Sequence, residues 1–334
     1  MERNGHDIRV WLALAAVYVV WGSTYLGIAI AIETLPPMTS GGLRFVAAAL
    51  ILGTVLLVRA VPYRMSWRQF GGAALVGLLL LAGGNGMVAV AEQHISSGLA
   101  ALLVASTPLW LVVLRTVFRD RPHVLTLAGV LVGFAGVAFL SLGGDDASGS
   151  TGSGVGIAVV LLGSFSWSVG SFISPRIPMP ANPFVASTIE MAVGGAALLV
   201  MGAVQGERLH LGAVSWQSWA ALAYLVLVGS LIGFTSYIWL LGHAPISLVS
   251  TYAYVNPVVA VILGAAILSE PVTGAMLVAG ALIVVGVALV VSTERRKRAG
   301  GRPAVRKTAT GPERDPASSP GGERLPDARP ATEA

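Results

Sequence analysis

The chain has 334 residues, of which 55% are hydrophobic and only 11% charged, and its mean hydropathy is +0.78. A soluble domain carries about 25% charged residues, so this composition excludes an ordinary soluble protein and indicates a membrane protein. Because the sequence contains no cysteine, disulfides, thiol catalysis and cysteine-based metal sites are excluded as well.

Ten apolar segments follow one another along the chain, each close to the roughly 20 residues that a helix needs to cross a bilayer core. They are long apolar runs rather than the alternating segments of barrel strands, which favours helices. The sequence therefore predicts an all-α polytopic membrane protein with spans near residues 9–31, 40–59, 70–91, 95–118, 123–141, 155–175, 182–204, 216–241, 246–268 and 272–292.

The two halves of this hydrophobic region repeat. Trp21 recurs as Trp167 after 146 residues (167 − 21), and Gly84 recurs as Gly233 after 149 (233 − 84). Each copy has five predicted spans. Because five is an odd number, the second copy enters the membrane from the opposite side, which is typical of secondary transporters. The predicted domains are a first five-helix repeat over 9–141, a flexible Ser/Gly-rich linker over 142–154, a second repeat over 155–292 and a disordered tail over 293–334.

The basic residues predict the topology. With the amino terminus inside, most arginines fall on the cytoplasmic side, together with the cluster Arg295–Arg298, whereas the opposite loops carry Glu33, Glu207 and Glu270. This positive-inside pattern places both termini in the cytoplasm and indicates a multi-pass protein of the plasma membrane. The sequence pI of about 9.9 then reflects topology, and no nucleic-acid partner is expected.

Several segments resemble a known family. Ser250–Thr273 (STYAYVNPVVAVILGAAILSEPVT) and its counterpart Ala105–Leu125 have a proline within a helix, then a charged-Pro turn, then a Gly-rich helix. Trp21–Tyr25 (WGSTY) and Leu43–Phe45 (LRF) are similar to the opening helices of the same family, the EamA-type transporters of the drug/metabolite transporter superfamily. The resemblance covers roughly residues 10–292. One departure is Arg121, which stands where the second repeat has Glu270.

The resemblance implies ten helices in two inverted five-helix units, with a central cavity between them. It also implies a secondary carrier that moves small organic metabolites, such as amino acids, or drugs, usually outward, by alternating access. Uptake or facilitated diffusion of sugars or other solutes is the alternative. The implied partners are a small-molecule substrate and the lipid bilayer, and homodimerisation is left open.

Two ionisable residues within the spans are candidates for coupling, because charged groups in the membrane are costly. Glu190 lies about two turns into the seventh span and is the candidate for a proton-linked carboxylate, with the proton as coupling ion. Arg44 is its counterpart in the repeat (190 − 44 = 146). The alternatives are that Arg44 snorkels to the outer interface and that Glu190 pairs with backbone or a nearby arginine.

Aromatic and amide side chains recur at mid-depth, too far from the interfaces for the usual aromatic belt. As a set they suit the wall of a cavity for an amphipathic or zwitterionic guest, and core packing is the alternative for each one. The predicted substrate-binding residues are Trp21, Tyr25, Asn85, Trp110, Trp167, Tyr237, Tyr252 and Asn256.

Backbone features predict the flexible points. Pro108 and Pro257 each remove a helical hydrogen bond at mid-membrane and are the predicted hinges. The pair Gly129 and Gly133 permits close helix contact. Glu92 ends the third span, where we expect a capping or interfacial group, with a gating or proton-relay role as the alternative.

Other classes of function fit the sequence less well. A primary pump needs a nucleotide site, and neither lysine lies in a P-loop pattern. A polytopic membrane enzyme needs clustered Asp, Glu or His, whereas the five histidines are scattered, so no enzyme activity, metal or cofactor is expected. A receptor would need a folded output domain, and the tail is short.

Overall fold

The computed structural model describes residues 8–118, 124–142, 153–244 and 252–300, and all regular structure within these ranges is helical. The α-helices are α1 Ile8–Ile32, α2 Pro37–Val58, α3 Trp67–Gly77, α4 Gly86–Ala91, α5 Ser97–Val104, α6 Thr107–Val117, α7 Val124–Leu142, α8 Ser153–Ile173, α9 Pro183–Val204, α10 Trp216–Tyr224, α11 Gly233–His243, α12 Tyr252–Leu268 and α13 Gly274–Gly300. Two π-helical segments, Leu78–Asn85 and Leu225–Ile232, join α3 to α4 and α10 to α11. Short 3₁₀ turns occur at Ser174–Arg176 and Leu211–Ala213.

Eight helical stretches in the described ranges are long and apolar enough to cross a membrane, and two shorter apolar helices, Val124–Phe139 and Val255–Leu268, accompany them. Their positions follow the predicted apolar segments, and the helix expected over 182–204 is observed as Pro183–Val204. The predicted ninth span, 246–268, is described only from Tyr252 onward, and the linker lies mostly outside the described residues. The regular structure of the described ranges is therefore all helical, as expected of a multi-pass membrane protein.

The last helix extends further than the sequence predicted. A disordered tail was expected from residue 293, but α13 continues to Gly300. The reason is local, because Arg, Lys, Glu and Ala are good helix formers and residues 293–300 are rich in them. The rest of the predicted tail, 301–334, lies outside the described residues.

Two carboxylates tie loops of the second half to helices of the first. Glu207 accepts hydrogen bonds from the backbone amides of Met38 (3.0 Å) and Thr39 (2.8 Å) at the start of α2. Glu270 accepts bonds from the amides of Ser97 (2.9 Å) and Gly98 (3.2 Å) at the start of α5. Anions are stabilised at helix amino termini, so both contacts cap a helix and fix one end of the bundle, here called the clamp end.

Glycines let α7 and α13 approach closely, as predicted. A Cβ on Gly129 would lie 2.7 Å from the carbonyl oxygen of Gly286, and one on Gly286 would lie 2.5 Å from the amide nitrogen of Gly133. Any larger residue would push the two helices apart. Small residues let two helix backbones pack closely, and this van der Waals packing holds helices together within lipid, where the hydrophobic driving force is missing.

Candidate functional site

Three of the predicted substrate-binding residues form one aromatic cluster. The ring centroid of Trp21 in α1 lies 5.1 Å from that of Tyr237 in α11 and 5.2 Å from that of Tyr252 in α12. The two tyrosine rings lie 5.9 Å apart and are perpendicular. Edge-to-face contacts of this kind are favourable because the positive edge of one ring meets the negative face of another. We refer to these three residues as the aromatic triad.

The position of Trp21 depends on a glycine. A Cβ on Gly233 would lie only 2.6 Å from the indole Nε1 of Trp21. The same arrangement occurs between the repeat counterparts, where a Cβ on Gly84 would lie 2.8 Å from the Cε3 atom of Trp167. Both tryptophans, predicted as a pair, therefore occupy space that a glycine on the opposite half leaves open.

Two further predicted residues adjoin the triad. Asn256 lies four residues after Tyr252 on α12 and hence on the same helix face. It is buried, with 9% of its surface exposed, and its Oδ1 atom accepts no hydrogen bond within the described part of the chain. Tyr25 lies one turn after Trp21 on α1 and hence on the same face of that helix. The triad thus has polar neighbours that could bind a guest.

Trp110 belongs to a separate cluster. Its ring packs edge-on against Phe134 at 4.8 Å and Phe165 at 5.3 Å, between α6, α7 and α8. Its Nε1 atom is buried and makes no hydrogen bond with the described residues. The structure therefore does not place all eight predicted side chains in one cluster, and Trp110 contacts phenylalanines rather than the triad.

Asn85 lies at the end of the first π-helical segment, next to Gly84, which Trp167 contacts. This segment packs against α8, where the Ser166 hydroxyl donates to the Leu79 carbonyl at 2.8 Å. A π-helix leaves carbonyl groups out of the normal α pattern, and a side-chain hydroxyl satisfies one of them here. Such segments are common at functional sites.

Arg44 points into the bundle. Only 7% of its surface is exposed, and its Nε donates to the Ser230 hydroxyl at 3.0 Å, in the second π-helical segment. A Cβ on Gly229 would lie 3.4 Å from its Nη2. The alternative that Arg44 snorkels to the interface is therefore wrong, because a π-helical hydroxyl across the bundle holds the guanidinium inside.

Glu190 lies in α9 where this helix crosses the end of α3. A Cβ on Gly77 would lie 2.5 Å from the Glu190 carbonyl oxygen, so the two backbones touch. The residue is partly buried. Its role as a coupling carboxylate stays a prediction, supported by its position within a membrane-spanning helix.

The predicted hinge residues lie in different local settings. Pro108 follows an interruption between α5 and α6 and occupies the first turn of α6, where a missing amide is tolerated. At the break the Thr107 hydroxyl donates to the Val104 carbonyl (2.7 Å), and the Ser106 hydroxyl donates to the Leu103 carbonyl (2.6 Å), which also accepts the Ser106 amide. Pro257 lies inside the continuous helix α12.

Four polar residues near the site were not among the predicted site residues. The Tyr224 hydroxyl lies 2.6 Å from that of Ser23 and joins α10 to α1. Ser230 binds Arg44, and Glu92 has both carboxylate oxygens buried. Serine and tyrosine within apolar helices give little sequence signal, and Glu92 was expected at the surface because it ends a span.

Comparison with known proteins identifies the family. The sequence model of the EamA-like transporter family matches residues 8–142 and 154–292. The chain is 40% identical over 259 residues to the "Uncharacterized inner membrane transporter YedA" of Escherichia coli (strain K12), covering 77% of this chain and 82% of that protein.

More distant relatives share most of the length. The "Uncharacterized transporter YvbV" of Bacillus subtilis (strain 168) is 24% identical over 279 residues, covering 80% of this chain and 87% of that protein. One crystal structure matches this fold with a TM-score of 0.59 at 21% sequence identity. The match covers 86% of this chain and 98% of the other chain, which shows a shared fold. The chain belongs to the EamA-like transporter family of membrane proteins.

Proposed function

We propose that this protein is a secondary-active carrier of the plasma membrane that exports small organic metabolites, such as amino acids, by alternating access. The observation that carries this proposal is the aromatic triad of Trp21, Tyr237 and Tyr252, which joins three helices deep within the bundle of a transporter-family protein. Aromatic faces bind apolar and cationic groups, and the adjoining Tyr25 and Asn256 supply polar contacts.

The proposed architecture is ten helices in two inverted five-helix repeats. Three observations support it. The family model matches two consecutive segments. The π-helical segments Leu78–Asn85 and Leu225–Ile232 have equal length and are 147 residues apart (225 − 78 = 232 − 85 = 147). Each repeat's tryptophan packs on the glycine of the other repeat, as a twofold relation between the halves would require.

The proposed mechanism is a rocking of the two repeats about the triad. Pro257 provides one flexible point because it removes a backbone hydrogen bond inside α12, and Pro108 provides another because it begins α6 at the interruption after α5. Glu190 couples the motion to a proton, and Arg44 holds the opposite position in the repeat. Arg44 binds Ser230 across the bundle at 3.0 Å. A movement of α2 relative to the second π-helical segment would therefore break this hydrogen bond unless the two residues move together.

The test is counterflow and efflux by the purified protein in liposomes, with amino acids, sugars and cationic dyes as probes and with or without a pH gradient. Saturable transport of one probe class supports the carrier and names that class. An absence of saturable transport across the whole panel would contradict the proposal.

Coupling is tested with Glu190→Gln, and Glu33→Gln on an exposed loop is the matched control. We expect Glu190→Gln to abolish the response of transport to the pH gradient while Glu33→Gln leaves it unchanged. An unaltered gradient response in Glu190→Gln would show that Glu190 is structural. Direction is tested in cells, since an exporter raises tolerance to its substrate and an importer lowers it.

A further inference from the structure

Glu92 is a buried carboxyl group that has no hydrogen-bond partner among the described residues. It is the residue that follows α4, outside the apolar helix itself, and its backbone amide bonds the Val88 carbonyl at 2.9 Å. Both side-chain oxygens are buried, and neither accepts a hydrogen bond from the described residues. A buried carboxylate that lacks partners is costly, so such a group takes up a proton instead. Protonation removes the charge that this site does not compensate.

Most other groups around Glu92 also favour its protonated form. Glu92 lies at the carboxyl end of a helical stretch, where the backbone dipoles disfavour a negative charge. Glu270 is close enough to repel it, and the Ser97 and Gly98 amides hold Glu270 in place. The pKa of Glu92 is raised well above its ordinary value, first by burial and then by Glu270, while Arg44 opposes the rise.

Among the described residues, Arg44 is the cation that influences Glu92, and it makes no hydrogen bond to it. Arg44 of α2 interacts with Glu92 electrostatically, but its Nε hydrogen bond goes to Ser230. Tyr25 of α1 is the third titratable neighbour. Helix α8, which also packs on α4, has no titratable side chain, and the Cβ of His94 packs towards Gly156 of that helix. A movement of Arg44 onto Glu92 would therefore exchange the neutral acid for an ion pair.

We propose that Glu92 is a proton-binding site of this carrier, which holds a proton in the conformation described here and releases it when Arg44 or a cationic group of the substrate moves against it. In this step the O–H bond of the carboxylic acid breaks, the proton passes to water at the clamp end, and the carboxylate pairs with the arriving cation. The proposal rests on the proposed carrier function. It connects the proton to the aromatic triad, because Tyr25 is an electrostatic neighbour of Glu92 and lies one turn after Trp21 on α1.

The protonation state is tested without any substrate. Infrared difference spectra of the purified protein, recorded between neutral and alkaline pH, show the C=O stretch of a protonated carboxylic acid as it disappears. We expect a band in the wild type that Glu92→Gln removes and that the exposed control Glu33→Gln retains. Glu190→Gln and Glu270→Gln identify any contribution from those carboxyls. A spectrum of Glu92→Gln that retains the full wild-type band would overturn the proposal.

Coupling is tested in the same liposome assay. For a probe that the wild type carries, we expect Glu92→Gln to retain saturable counterflow. The pH gradient should stimulate transport by this variant at least tenfold less than it stimulates the wild type. Glu92→Asp, which keeps the acid, should retain part of that stimulation and also serves if the glutamine variant fails to fold. Counterflow by Glu92→Gln with a wild-type gradient response would refute the role of Glu92 and leave the carrier function standing. Wild-type protein that carries no probe would contradict the carrier function, and the infrared result would still decide the protonation of Glu92.

Discussion

The indole of Trp21 lies against Gly233 so closely that a Cβ at residue 233 would be 2.6 Å from its Nε1 atom. Trp167 and Gly84 repeat this contact with the halves of the chain exchanged. Each tryptophan is therefore placed by backbone that belongs to the other half. This exchange makes the position of the aromatic triad sensitive to how the two halves pack.

The first prediction concerns this contact. Gly233→Ala should displace the Trp21 ring and destabilise the protein by about 1–3 kcal/mol, the usual cost of overpacking a filled interior. Thermal unfolding of the detergent-solubilised protein measures the effect. The matched control is Gly71→Ala in α3, where a Cβ meets no atom within 4 Å. That variant should be neutral or slightly stabilising, since alanine favours helices. Equal melting temperatures for the two variants would contradict the packing described here.

The second prediction concerns the clamp end. Glu270→Ala leaves the amides of Ser97 and Gly98 without their acceptor, so we expect a loss of about 0.5–2 kcal/mol in stability, the usual value of a helix cap. The control is Glu33→Ala, which removes an exposed carboxylate from a neighbouring loop. Thermal unfolding at fixed pH and salt compares the two variants. If the control loses as much stability as Glu270→Ala, the cap does not stabilise the fold.

The third prediction separates binding from packing in the triad. Trp21→Ala should lower counterflow of a carried probe by about two- to tenfold, because an aromatic contact is worth about 0.5–1.5 kcal/mol beyond its buried area. Trp67→Ala is the control, since Trp67 is 86% exposed and lies at the start of α3. Membrane levels and melting temperature of both variants should be measured alongside transport. Loss of folded Trp21→Ala protein, rather than of transport alone, would assign Trp21 to the core.

Helix positions were predictable from the sequence because polar and proline residues interrupt the apolar runs. The run predicted over 216–241 is thus observed as α10, a π-helical segment and α11, Trp216–His243. The π-helical geometry itself was not predictable, since its extra residue is stabilised by partners from elsewhere, such as Ser166 at the Leu79 carbonyl. Local sequence carries no signal for these distant contacts.

The candidate site was predictable only in part. Aromatic residues deep in the spans indicated a shared cluster, and Trp21, Tyr237 and Tyr252 do meet, whereas Trp110 packs elsewhere. Glu92 shows the limit most clearly. Its place at the end of a span predicts a surface group, whereas its carboxylate oxygens are buried at the end of α4, on which α8, α2 and α1 pack.

The fourth prediction concerns pH and follows from the raised pKa of Glu92. Above the ordinary glutamate value the folded protein keeps this proton and the unfolded chain loses it. The stabilisation of the folded protein by this proton is complete below the ordinary glutamate pKa and disappears as pH rises towards the higher pKa of the folded state. The free energy of unfolding then falls by up to about 1.4 kcal/mol per pH unit. Glu92→Gln has no such proton, so its melting temperature should fall less than that of the wild type between about pH 5 and about pH 8. Other carboxyls titrate in both proteins, and the difference between the two curves therefore isolates Glu92. Parallel curves would mean that Glu92 is ionised in the folded protein, and its carboxylate would then need a partner that closes on it in solution.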